Sequence, residues 1–448
     1  MEIAAELRPM LRLAAPLAAS ELGWMAMGIA DTMMVARVSD AAVGAVSIGG
    51  TLFYTVGIFG TGLMLGLDTL VSQAFGAGDR EDCHRSLIGA LYFAAPLAPA
   101  LMAVVWTFAP LLRLCGINPE VLRETGPYLN ALVWSTPPLI LYFALRRYLQ
   151  GINQVRPIVF ALVTANLVNI ACNWILDYGN LGAPAMGAVG AGWSTTVARL
   201  YMAGVLGGYI IWNESGDRHG LFAARWRVDL ARIAQLLRLG LPAALQILVE
   251  IGVFAAATTL AGRLEPASLA AHQIALTVVS ATFMVVLGIS SAAAVRVGQA
   301  IGQGDPAAAA RSGWTALGLG VVFMSLAALT LLLIPGLILQ AYTPDPRVIR
   351  IGTTLLAVGA AWQIFDGLQG VATGALRGAG DTRTPMIWHL GAYWLIGLPL
   401  GYYLCFGRGW GVAGLWTGLC LALTIIGTAL VVAWRRTAVR AVATLAIA

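Results

Sequence analysis

LRLAAPLAASELGWMAMGIADTMMVAR, residues 11–37, exceeds the roughly 20 residues needed to cross a bilayer and carries two carboxylates within that length. It also occurs twice. A shift of 226 residues lays Pro16 on Pro242, Arg12 on Arg238 and Arg37 on Arg263. The second copy, Leu237 to Arg263, lacks both Glu21 and Asp31 and carries Glu250 instead. A helix has been duplicated and its charges have diverged.

The rest of the chain has the same character. Of its 448 residues, 59% are hydrophobic and 11% charged, with a mean hydropathy of +0.80. Soluble domains carry about 25% charged residues, so a soluble globule is excluded. The first apolar run holds carboxylates and no small-residue cleavage site, which argues against a removable signal peptide. The net charge of +6 comes entirely from arginine, with no lysine, set in short connections between apolar runs. That is the positive-inside pattern of a membrane protein, so no nucleic-acid partner is expected. Without lysine there is no Walker A loop to cradle a nucleotide phosphate. Five scattered cysteines, with no C-x-x-C, suggest packing rather than a disulfide framework or zinc site.

Twelve apolar helices are predicted, at roughly 10–38, 42–78, 85–112, 120–148, 157–180, 185–213, 236–263, 267–303, 311–340, 346–376, 384–406 and 411–434. With an even count both ends share one side. Nineteen arginines at span ends, connections or termini fall on that side, Arg146, Arg147, Arg218, Arg225 and Arg440 among them. Seven, including Arg113, fall on the other, which puts both termini in the cytoplasm. Residues 214–234 form a polar cytoplasmic linker between an amino-terminal lobe, 1–213, and a carboxy-terminal lobe, 235–448. The offset of 226 recurs in Q-A-F-G-A-G-D at 73–79 over Q-A-I-G-Q-G-D at 299–305. Farther on, Val189 and Trp193 correspond to Val412 and Trp416 at an offset of 223. The fold class is therefore an all-α membrane protein. Its two parallel six-helix repeats are related by a pseudo-two-fold along the membrane normal, an arrangement found in secondary transporters.

A charge at the bilayer centre costs at least about 2.5–3.5 kcal/mol, so each one needs a reason. Counting depth from the helix ends sets Asp31, Asn173, Asp177 and Thr195 at one outer level. Two carboxylates, an amide and a hydroxyl suit a small hard cation such as Na+, or a proton shared between the acids. Unrelated polar caps are the alternative, above all for Asp177 near a helix end. Glu250 and Asp366 form a second acidic pair near mid-depth, with Gln363 one turn from Asp366; the alternative there is a hydrogen-bonded helix contact. Asp68 suits capping or pairing with a loop arginine. Glu21 and Arg199, the only base well inside a span, reach similar depths and are expected to form an internal salt bridge. His272 and His389 are expected to be packing residues, with no second histidine at ligand spacing.

Several motifs in order now carry a resemblance. M-G-I-A-D-T-M-M-V-A-R at 27–37, L-D-T-L-V-S-Q-A-F-G-A-G at 67–78 and A-A-H-Q-I at 270–274 look like the multidrug and toxic compound extrusion (MATE) family, nearest its NorM-like branch. R-V-G-Q-A-I-G-Q-G-D at 296–305 and L-R-G-A-G-D-T-R-T-P at 376–385 do so as well. The resemblance implies a cation-coupled multidrug efflux antiporter, not an enzyme, in the bacterial inner membrane. It would export small organic, mostly cationic compounds as H+ or Na+ enters, working as a monomer with no cofactor. Asp31, Asn173, Asp177 and Thr195 match the family's amino-terminal cation site, and Glu250 and Asp366 the carboxy-terminal acids. Substrate is expected at Asp31, Glu250, Asp366, Trp362 and Gln363. Trp362 stands where some members have a sodium-binding tyrosine, and an indole offers no oxygen. Of the rivals, a lipid-linked oligosaccharide flippase of the same superfamily needs a cationic cavity, whereas the buried charges here are six acids and one arginine. An intramembrane aspartyl protease needs a G-x-G-D motif within a span, and none stands there. A passive channel is the remaining rival.

Overall fold

The computed structural model describes residues 2–115, 118–214, 220–221 and 226–445. Arg218 and Arg225, Gly116 and Ile117, and the side chains of Arg113, Cys115 and Arg440 lie outside the described residues.

The described chain is all-helical. The amino-terminal half runs α1 (Glu2–Val35), α2 (Asp40–Leu63), α3 (Gly66–Gly76), α4 (Arg80–Phe108), α5 (Pro119–Val133), α6 (Thr136–Gly151), α7 (Arg156–Leu176) and α8 (Ala188–Glu214). Then follow α9 (Leu230–Ala261), α10 (Pro266–Gly302), α11 (Pro306–Leu333), α12 (Pro335–Gln340), α13 (Pro346–Gly378) and α14 (Arg383–His389). A π-helical stretch (Leu390–Gly397), α15 (Leu398–Tyr402), a second π-helical stretch (Tyr403–Gly407) and α16 (Val412–Leu445) complete the chain. Starts are marked as the sequence demands: Ser39 caps α2, Asp79 α4, Asp305 α11 and Asp345 α13, each accepting a backbone N–H of its first turn. Asp229 accepts from the Arg232 N–H at 3.0 Å and from Arg85 Nη2 at 2.7 Å. The Arg85 hydrogen bond holds its carboxyl below the usual carboxylate value.

Among the described residues, ten helices are long and apolar enough to cross a membrane, or eleven if the bent pair α5 and α6 is one span. That pair bends by 45° at Trp134 and Ser135, just ahead of Pro137 and Pro138. Two successive prolines withhold the N–H groups that would continue α5, so the axis turns there. α8 is 27 residues long but carries Arg199 and is not among the ten. Polarity is inside out relative to a soluble protein. Leu167, Leu333 and Leu395 are largely exposed, while Asn169, Asn173, Arg146, Gln363 and His389 are wholly buried. An apolar skin over a polar interior is what lipid solvent selects.

The residues group into two compact units, Ala19–Ala244 in one and Met1–Ala18 with Leu245–Ala448 in the other. A close backbone crossing lies in each. In the first, a Cβ on Gly62 of α2 would come within 2.7 Å of the Cα of Ala244 on α9. In the second, a Cβ on Gly288 of α10 would come within 2.7 Å of the Cβ of Ala18 on α1. The offset of 226 carries one contact onto the other, and only glycine allows such an approach. In the second unit Glu6 takes both Arg296 nitrogens, Nε at 2.9 Å and Nη2 at 2.8 Å, and the Ser312 hydroxyl at 2.8 Å. The bidentate fork fixes the first turns of α1 on α10 and α11. The described cysteines, Cys83, Cys172, Cys405 and Cys420, are free thiols.

Candidate functional site

In the unit Ala19–Ala244, three helices bring Asp31, Asn173 and Thr195 of the expected amino-terminal set together. Asp31 of α1 accepts from Asn173 Nδ2 of α7 at 2.7 Å and from Thr195 Oγ1 of α8 at 3.1 Å. Asn169, one turn below Asn173, extends the group through a 3.4 Å contact to the same Nδ2. Asp177 caps the end of α7 one turn after Asn173 and is buried. Room for it comes from Gly190, whose Cβ would sit 2.6 Å from Asp177 Oδ1. Neither carboxyl oxygen of Asp177 has a hydrogen-bond partner among the described residues, and neither does Asn173 Oδ1. A buried carboxylate without a donor costs several kcal/mol, which a proton or a cation at these oxygens would offset.

The neighbouring charges depart from expectation. Glu21 does not pair with Arg199; its partner is Arg146 Nη2 of α6. Arg146 therefore lies within the helical interior, fully buried, and not in a connection. Arg146 lies on α6, the second arm of the pair bent by 45°, where it packs among helices rather than at a chain connection. Arg199 instead donates to the Ser135 hydroxyl at 2.5 Å, at that bend. Its guanidinium stands 4.9 Å from the Phe53 ring centre, 5.7 Å from Tyr54 and 5.8 Å from Trp24, an aromatic cage. Asp68 pairs with Arg147 at 3.3 Å, and Arg147 also reaches Gln150 Oε1 at 3.1 Å.

In the other unit, Glu250 of α9 and Asp366 of α13 share one amide. Gln369 Nε2 donates to Glu250 Oε1 at 3.3 Å and to Asp366 Oδ1 at 3.1 Å. Gln246, one turn before Glu250, brings its Nε2 to 3.5 Å from Oε2 of the same acid. His389 completes the group, with Nε2 at 2.8 Å from Gln369 Oε1 and 3.9 Å from Glu250 Oε2. Gln363 is turned elsewhere, donating to Thr282 of α10 at 2.9 Å. Trp362 is buried in a stack on Trp416, ring centres 4.5 Å apart and planes within 12°, with the Phe254 ring edge-on at 6.5 Å. Gln246, Gln369 and His389 were not singled out by the sequence for this site. The two glutamines were within reach, standing at i−4 from Glu250 and i+3 from Asp366. His389 comes from beyond a turn, and no spacing rule finds it.

Buried acids held by amides and hydroxyls within apolar helices mark a multi-pass membrane transporter rather than a hydrolase. The MatE family model matches residues 16–175 and 242–403, and the chain belongs to the MATE family, in its NorM-like branch. It is 35% identical over 438 residues to a probable multidrug resistance protein NorM of Mesorhizobium japonicum, covering 96% of this chain and 94% of the relative. A NorM of Bradyrhizobium diazoefficiens is 36% identical over the same shares. The multidrug resistance protein PmpM of Pseudomonas aeruginosa is 35% identical, covering 95% of this chain and 90% of its own. The fold is also that of the eukaryotic MATE transporter AtDTX14, with a TM-score of 0.86 at 22% identity, covering 98% and 99% of the two chains.

Proposed function

We propose that the protein is a multidrug efflux antiporter of a bacterial inner membrane, exporting organic, mostly cationic compounds in exchange for entering protons. Twelve spans follow if the pair α5 and α6 is one and α8 another. The lobes are then 1–213 and 235–448, joined by 214–234, with both termini in the cytoplasm, and the monomer is the working form. Alternating access by rocking of the two repeats carries the cycle. With the outer side open, the acids take up protons, lose affinity for the organic cation and release it. With the inner side open, they lose protons and bind again.

The observation that carries this reading is the pair Glu250 and Asp366 on a single amide. Gln369 and Gln246 offer N–H groups to these carboxylates, which suits charged or protonated oxygens and leaves few oxygen ligands for a metal ion. A sodium ion is the second reading, confined to the other cluster. Asp177 and Asn173 there present three buried oxygens with no donor, beside Asp31 and Thr195.

Efflux from proteoliposomes under separately imposed proton and sodium gradients tests both. Glu250→Gln and Asp366→Asn should abolish proton-driven efflux, and Asp31→Asn should impair whichever gradient drives the amino-terminal cluster. If all three variants keep full gradient-driven efflux, the carboxylate mechanism is wrong.

A further inference from the structure

His389 is fully buried at the end of α14, directly before the first π-helical stretch. Its Nδ1 lies 2.7 Å from the carbonyl oxygen of Pro385. A carbonyl only accepts, so Nδ1 carries a hydrogen in either charge state of the ring. The other nitrogen faces two groups with opposite requirements. Gln369 Oε1, an acceptor, stands 2.8 Å from Nε2, and Gln246 Nε2, a donor, stands 3.4 Å from it. The first contact needs a proton on Nε2 and hence an imidazolium. The second needs a bare nitrogen and a neutral ring.

The same conflict passes through Gln369. With Oε1 toward the ring, its NH2 points at Glu250 and Asp366, which suits at least one ionised carboxyl. Should the ring be neutral, the amide turns over. NH2 then serves the bare Nε2, and Oε1 accepts from a protonated carboxyl. Amide orientation and proton position are thus tied, and the Gln369 contacts to the ring and to the acids are matched only when the two change together. The titratable groups facing the ring are Glu250 from α9, Asp366 from α13 and Tyr393 from the π-helical stretch. The Tyr393 ring centre is 5.9 Å away, and its hydroxyl has no partner among the described residues.

We propose that His389 is a proton-relay residue for the Glu250 and Asp366 pair, with the Gln369 amide as the element that turns over between its two states. In the step, the O–H bond of protonated Glu250 breaks as an N–H bond forms at His389 Nε2, leaving a carboxylate and an imidazolium; the reverse step restores both neutral groups. The 3.9 Å separation has to close by about 1 Å to reach hydrogen-bond range. A π-helical register immediately after the residue is a common companion of functional sites.

The inference rests on Glu250 and Asp366 being the proton site, and one set of variants separates the two. Wild type, Glu250→Gln, His389→Gln and Gln369→Met are compared in proteoliposomes for efflux against pH and for drug affinity without a gradient. His389→Gln and Gln369→Met should lower proton-driven efflux at least about tenfold and flatten its pH profile, with any fall in drug affinity without a gradient smaller than the fall in rate. An inactive Glu250→Gln beside a His389→Gln of normal rate and pH profile overturns the relay alone. An active Glu250→Gln overturns the proton site and the relay with it. Histidine 15N spectra of the wild type in detergent give a reading that needs no folded variant. Nδ1 of His389 should stay protonated while Nε2 titrates, and a Nε2 that stays bare from about pH 5 to 8 contradicts the proposal.

Discussion

Trp416 donates its indole N–H to Nδ1 of His272 at 2.9 Å, and the opposite ring nitrogen lies 2.8 Å from the Thr258 hydroxyl. The indole can only donate, so Nδ1 is bare and Nε2 carries the hydrogen that Thr258 accepts. Both nitrogens are satisfied in the neutral ring. A second proton would have to displace the indole. His272 is thus locked where His389 is poised, although both are buried histidines in the same unit.

His272→Ala should therefore lower stability by about 1–3 kcal/mol, leaving the Trp416 N–H unpaired, and leave the shape of the efflux pH profile unchanged. Thermal unfolding in detergent and the pH–rate curve check the two halves of this statement. A shifted pH profile in a stable variant would put His272 in the proton path.

Fully buried Arg146 pairs with part-buried Glu21, and removing the acid strands the base. Glu21→Gln should cost about 3–5 kcal/mol, and adding Arg146→Met should recover most of it. The same cycle run on Arg199 and Glu21 should show additive losses, since the two do not touch. Coupling above about 1 kcal/mol between Glu21 and Arg199 would contradict the geometry.

Arg199→Lys should be nearly as damaging as Arg199→Met. The cage of Phe53, Tyr54 and Trp24 suits a planar guanidinium, and a lysine ammonium keeps the charge but loses the stacking. Melting temperatures of the two variants decide it; a lysine variant that melts like wild type speaks for charge alone.

Gly418 of α16 faces the irregular helix opposite, where an added Cβ would lie 2.5 Å from the backbone nitrogen of Gly401. Gly418→Val should lower the melting temperature sharply, whereas Gly318→Val, with open space around its α-carbon, should be tolerated. Equal melting temperatures for the pair would show that α16 has room to move.

The sequence resolved what depends on neighbours along one helix and missed what depends on partners across helices. Apolar run lengths gave most of the helices but not the breaks within 42–78, 120–148 and 311–340, and depth counting joined Asp31, Asn173 and Thr195, because α1, α7 and α8 are unbroken at those points. The same counting set Glu21 opposite Arg199, because it placed Arg146 in a connection rather than on a helix facing Glu21. Glu250 and Asp366 were legible as buried acids. The amide that joins them was not, since nothing in the spacing says which way Gln369 turns. Gln363, equally close in sequence to Asp366, turns to Thr282.

The unit boundaries, after Ala18 and after Ala244, lie one repeat length apart. A chain cut between α8 and α9 would not release two self-sufficient halves. The first piece would carry residues 1–18, whose packing partner at Gly288 is on the second. The second would carry residues 230–244, whose partner at Gly62 is on the first. Co-expressed pieces should therefore fold only together, since each close helix crossing needs a residue from either side of the cut.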